Sequence, residues 1–125
     1  MTPLVLVALS LAGGLGAAAR FVLDGAIRAV RPVALPIGTI LINLSGSLLL
    51  GVVVGLSTTA VLPAPARLIV GTGFLGGYTT FSASSYETVR LFQERRVGLA
   101  LLNSAGLLVA CALLAGLGVA LGSLA

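Results

Sequence analysis

A chain of 125 residues is one domain by length, and 58% hydrophobic against 8% charged residues, with mean hydropathy +1.21, is the composition of a membrane protein. Its charges are seven Arg, two Glu and one Asp, with no Lys and no His, and a net charge of +4 scattered over so apolar a chain forms no basic face for nucleic acid. The single cysteine, Cys111, excludes an internal disulfide, and without His there is no Cys/His zinc cluster.

Four apolar blocks divide the chain into spans of about 3–27, 34–60, 67–92 and 97–123, joined by short loops near 28–34, 61–67 and 93–97. Each exceeds the length of about 20 residues needed to cross a bilayer. The predicted fold is therefore an all-α membrane protein, a single four-helix transmembrane domain over 1–125.

The first span opens MTPLVLVALSLAGGLGAAAR, where GAAA resembles a small-residue cleavage site. A signal peptide has a positive n-region, and here no Arg or Lys precedes Arg20, so the segment reads as a retained first helix. Asp24 lies four residues after Arg20 and four before Arg28, the spacing of a local helical ion pair.

The second span belongs to an uncharged stretch from Pro32 to Ala66, broken by LPAPA at 62–66. Thr39, Asn43 and Ser47 recur at i, i+4 and i+8 and stack along one helix face. The bland role for Asn43 is an interhelical hydrogen bond, worth about 0.6 kcal/mol in membranes. The continuous polar face also suits an ion path. GVVVG at 51–55 and GVALG at 118–122 are small-xxx-small patterns that predict close helix packing.

In the third span Gly71, Gly73, Gly76 and Gly77 lead into GGYTTFSASSYE, residues 76–87, where seven of twelve side chains carry a hydroxyl. Glycine weakens a helix by about 1 kcal/mol per residue. Non-helical backbone at membrane depth needs a buried or wet setting, so a break is predicted near Gly76–Thr80, with carbonyls freed for a cation and amides for an anion. A lone Ser or Thr bonds back to the carbonyl at i−4, but a run this dense points to a lined path for a small ion. With hydroxyls, one amide and few acids, the path favours an anion that accepts short hydrogen bonds. Phe81 suits it through its electropositive ring edge. Glu87 either pairs with Arg90 at i+3 or orients the hydroxyls.

The fourth span carries Cys111 as a packing residue. Arg28, Arg31, Arg95 and Arg96 flank the 28–34 and 93–97 loops, against Arg67 alone at 61–67, which favours those two loops in the cytoplasm and both termini outside. No nucleophile–base pair, metal cluster or Walker loop is present, so the chain is not expected to be an enzyme.

Three segments resemble the Fluc/CrcB family of fluoride channels. GGLGAAARF (13–21) is similar to the family's glycine-rich opening ending in Arg and an aromatic, GTILINLSGSLLLG (38–51) to its Gly-Thr…Asn…Gly segment, and GGYTTFSASSYE to its TTFSTFS signature. The resemblance covers nearly the whole chain. It implies a passive fluoride-selective channel, an antiparallel dual-topology dimer with two pores, in the plasma membrane of a bacterium or archaeon. There it lets out fluoride that has entered acid-stressed cells as HF. It further implies Asn43 as the pore amide and Phe81 as the first pore aromatic, with Thr80, Ser82, Ser84 and Glu87 along the polar path and Arg20 towards a vestibule. The carbonyls of Gly76 and Thr79 become candidates for a structural sodium ion at the dimer centre.

The sequence departs from the signature where TTFSTFS reads TTFSASS, so Ser84 replaces the second aromatic. On the last span Asn103 and Cys111 match the family's polar track loosely. That departure and the uneven arginines leave two assemblies open, a homodimer or a heterodimer with an oppositely biased paralogue. A small multidrug-type exporter needs a carboxylate deep in the first helix, and residues 1–19 hold none. An assembly-only membrane subunit explains the glycines but not Asn43 with the hydroxyl run.

Overall fold

The computed structural model describes residues 2–30 and 35–125. Arg31 and positions 31–34 of the expected first loop lie outside them. Regular structure among the described residues is all helical: α1 (Pro3–Val30), α2 (Ile37–Thr58), α3 (64–78), α4 (Ser82–Gln93) and α5 (Val97–Gly122). Three of these, α1, α2 and α5, are long and apolar enough to cross a membrane. The chain between α2 and α5 forms two shorter helices, and its backbone turns extended at Thr79 (φ −82°, ψ 157°) before α4 begins.

Local chemistry accounts for the helix ends. Pro3 starts α1, where its missing N–H costs nothing, and Thr2 Oγ1 accepts the Val5 N–H at 3.2 Å. Pro65 sits likewise in the first turn of α3. After α4, Arg95 takes the left-handed conformation (φ 60°), its N–H closing on Phe92 O and that of Arg96 on Leu91 O, the double bond of a Schellman cap. Ala60 is also left-handed after α2 (φ 59°), its N–H closing on Ser57 O while that of Leu62 reaches Leu56 O. Within α3 the turns of Leu68–Leu75 widen to π-helix, and Leu102–Gly106 does so inside α5.

The two small-residue patterns meet face to face. A methyl on Gly51 would overlap Ala115 O and lie 3.0 Å from Gly118 Cα, and one on Gly122 would overlap Val52 O. Backbone thus packs on backbone between α2 and α5. A second interlock joins α1 to α3: a methyl on Gly73 would come within 2.8 Å of Leu9 O, and one on Gly77 within 2.9 Å of Gly13 C. The glycine cluster expected to loosen this segment therefore stays helical. Its cost in propensity is offset by the close approach of α1, which no larger residue permits.

The interior is small: Ile42, Val53, Leu75, Leu91, Ala100 and Leu107 are the buried apolar residues, and Thr39, Asn43 and Asn103 are buried with them. Large apolar side chains face outward instead, among them Leu11, Leu15 and Phe21 on α1 and Leu108, Leu113 and Leu117 on α5. Such a surface is solvated by lipid, not water, and the chain is a multi-pass membrane protein.

Candidate functional site

The non-helical residues 79–81 are held by α2. Asn43 Nδ2 donates to Thr80 O at 2.8 Å, and Asn43 Oδ1 accepts the Thr80 N–H at 2.9 Å. One amide side chain thereby satisfies both backbone groups of the residue that left the helix, where a helical partner is missing. Nδ2 carries a second hydrogen beyond the one given to Thr80. Gly46, one turn on, leaves room for Thr79, whose Cγ2 a methyl there would overlap.

The hydroxyls of the run divide by partner. Thr79 Oγ1 bonds back to Leu75 O at 2.9 Å, the local arrangement usual for a helical Thr. Thr80 Oγ1 accepts the Ala83 N–H at 3.2 Å and lies 3.3 Å from Ser82 Oγ, so it caps the first turn of α4. Tyr78 O–H meets Ser45 Oγ at 3.0 Å and ties α3 to α2, its ring stacked near Phe74. Ser82, Ser84, Ser85 and Tyr86 give their side-chain oxygens no other partner among the described residues. Phe81 stands 87% exposed immediately after the pinned Thr80.

Arg20 donates from Nε to Gly77 O at 3.4 Å, placing its cation against the carbonyl end of α3. It does not touch Asp24, which pairs with Arg28 at 3.1 Å. Glu87 accepts the Thr39 hydroxyl at 2.7 Å and lies 3.6 Å from Arg28 Nη2. The i+3 partner read from spacing, Arg90, pairs instead with Glu94 at 3.3 Å. Thr39 and Asn43 thus work as one polar face of α2, reaching Glu87 and Thr80 respectively.

Asn103 is the polar residue that sequence reasoning undervalued. It is 0% exposed, and its Nδ2 donates to Thr88 Oγ1 at 2.9 Å and to Ser84 O at 3.3 Å. It thereby fastens α4 to the widened turn of α5. The signal available was the one that marked Asn43, an amide inside an uncharged span. Among the described residues no backbone amide outside regular helix closes onto the Gly76 or Thr79 carbonyl, because Asn43 takes the Thr80 N–H and Thr80 Oγ1 takes that of Ala83.

The sequence profile of the family described as "CrcB-like protein, Camphor Resistance (CrcB)" matches residues 7–119. The chain is 54% identical over 125 residues, all of its own length and 91% of the other's, to "Fluoride-specific ion channel FluC 1" of Leifsonia xyli subsp. xyli. It is 48% identical over 104 residues to "Fluoride-specific ion channel FluC 2" of Mycolicibacterium paratuberculosis, covering 82% of this chain and 80% of that one. "Fluoride-specific ion channel FluC" of Syntrophotalea carbinolica is 48% identical over 90 residues, covering 71% and 73%. These names describe ion channels and not enzymes.

Proposed function

The chain belongs to the CrcB family, and from that premise we propose that it is a passive fluoride-selective channel by which cytoplasmic fluoride leaves the cell. The observation that carries the reading is the Asn43–Thr80 clasp. It fixes the break between α3 and α4, leaves an amide N–H of Asn43 beyond the clasp, and sets the exposed Phe81 directly beside it.

Fluoride is small, strongly hydrated and accepts short hydrogen bonds, so a path must replace its water with donors. Asn43 supplies an amide N–H, Ser82 and Ser84 hydroxyls, and Phe81 an electropositive ring edge. Thr80 acts by position, since its hydroxyl caps α4. Arg20 raises the local anion concentration from the end of α3. Glu87, oriented by Thr39, marks the far end of the polar path. Conduction is downhill and involves no bond making.

In this reading α3 and α4 together make the fourth crossing, and 1–125 is one domain spanning a bacterial or archaeal plasma membrane. Two antiparallel copies enclose two pores, with Phe81 covered by the partner. The Gly76 and Thr79 carbonyls suit a structural sodium ion, which takes hard oxygen ligands; among the described residues no group of three His, Cys, Asp or Glu side chains offers an alternative. Two carbonyls per chain are a partial shell, completed by the second copy. That ion would supply only positive charge, joining the two chains where their breaks meet.

A heterodimer is the second reading. It is favoured by Ser84 at the second aromatic position and by Arg28, Arg95 and Arg96 opposing Arg67, since a chain inserted in one orientation needs an oppositely biased partner. Fluoride efflux from liposomes holding only the purified chain, with chloride as control, decides between them. Fast fluoride release without chloride release is expected of a homodimeric channel. No flux from a folded dimer would overturn the homodimer, and release restored by a paralogous chain would establish the heterodimer.

A further inference from the structure

Elements α1, α2 and α4 converge at the start of α2. Arg28 bridges two carboxylates there, lying 3.1 Å from Asp24 Oδ2 through Nε and 3.6 Å from Glu87 Oε1 through Nη2. The Thr39 hydroxyl donates to the same Glu87 oxygen at 2.7 Å. Asp24 Oδ1 is buried against Gly38, where a methyl would overlap it, and Glu87 Oε2 is buried as well. Both acids therefore pack at the first turn of α2, near its positive dipole end, and these two buried oxygens accept no hydrogen bond among the described residues.

A cleft of about 670 Å³ opens beside this cluster, and Arg28, Glu87, Arg90, Glu94 and Arg96 line it. Arg90 and Arg96 are drawn to Glu94, at 3.3 and 3.9 Å. Among the described residues, Arg28 is the cation in contact with Glu87. A carboxylate bordering an anion route repels the permeant ion, and one arginine here faces two such groups.

We propose that Asp24, Arg28 and Glu87 form a charge triad at one mouth of the channel, in which Arg28 screens Glu87 and the net charge of the three sets the anion flux. The proposal rests on the channel reading above. It assigns functional roles to Asp24 and Arg28, which lie outside the clasp and the hydroxyl run. Asp24 enters as a charge: it pairs with the guanidinium one turn away, so the three groups together carry one negative charge.

Fluoride efflux from liposomes tests it across ionic strength, using an impermeant salt. Arg28→Gln is expected to slow efflux about five-fold at 10 mM salt and less than about two-fold at 1 M, as the screening length falls from about 30 Å to about 3 Å. Asp24→Asn/Arg28→Gln removes one charge of each sign and should recover most of the wild-type rate, and Arg28→Lys should retain it. Asp24→Asn alone should match or exceed wild type at low salt. A slowing by Arg28→Gln that salt does not change, or that the double variant does not reverse, overturns the triad and leaves Arg28 as a fold contact. A wild-type chain that passes no fluoride, alone or with a paralogous partner, overturns the channel reading and this proposal with it.

Discussion

Helix α2 is held on one side by α5 and on the other by the break between α3 and α4, and the two contacts use opposite means. Against α5 it offers absence: Gly51 and Gly55 face Gly118 and Gly122, and backbone approaches backbone. Against the break it offers donors and acceptors: Asn43 to Thr80, Thr39 to Glu87 and Ser45 to Tyr78. In lipid, apolar side chains drive no association between helices, so regular helices join best where side chains are missing. Irregular backbone is the reverse case, since each freed N–H and C=O must find a partner. The first contact is damaged by adding atoms and the second by removing them.

The harshest test adds atoms. Gly118→Val places a side chain into Leu48 O and within 2.8 Å of Val52 N, and it should cost about 3 kcal/mol, near the upper end for overpacking. Thermal unfolding of the detergent-solubilised chain reads this, and an unchanged Tm would mean that α2 and α5 part freely. Asn43→Ala removes atoms at the other contact. It should cost about 2 kcal/mol, because two part-buried backbone groups lose their partner, and it should abolish fluoride flux. Asn43→Asp keeps the acceptor for the Thr80 N–H but loses the donor. It should regain part of the stability and none of the flux; recovered flux would show that the amide N–H is dispensable.

Milder variants sharpen the contrast. Phe81→Ala should leave the unfolding free energy of the single copy within about 0.5 kcal/mol of wild type, since the ring is exposed within one chain, while stopping flux. A conducting Phe81→Ala chain would remove the ring from the pore. Asn103→Leu deletes both bonds from α5 to α4 and should cost about 1 kcal/mol, seen as faster hydrogen exchange in α4 with α2 unaffected. Ala60→Gly acts in the opposite direction: it relieves a left-handed alanine and should raise stability by about 1 kcal/mol.

Much of this was legible along the chain because its causes are local. The Asp24–Arg28 pair follows from i, i+4 spacing, and the start of α1 from Thr2 and Pro3. Asn43 drew attention because an amide in an uncharged span must find a partner. The identity of that partner was not legible: Thr80 is 37 positions away, and Glu87 is 48 from Thr39. Glu87 illustrates the loss best. Spacing offered Arg90, yet Arg90 turns to Glu94 and Glu87 faces α2. The glycine cluster shows a related limit: the backbone leaves the helix at Thr79, but the glycines before it stay helical, since propensity measures a helix alone and not the neighbour that a glycine admits.

By itself the sequence determined that this is a helical membrane protein and that one short segment concentrates hydrogen-bond donors. These follow from hydropathy, length and residue type, which act position by position along the chain. Only the tertiary structure decided that Asn43 closes on Thr80, that Asn103 holds Ser84 and Thr88, that Arg28 lies between two carboxylates, and that glycines of four helices mesh in two pairs. Each of these depends on the register of one helix against another. That register is set by which backbones can approach most closely, a property of paired surfaces that no single stretch of residues contains.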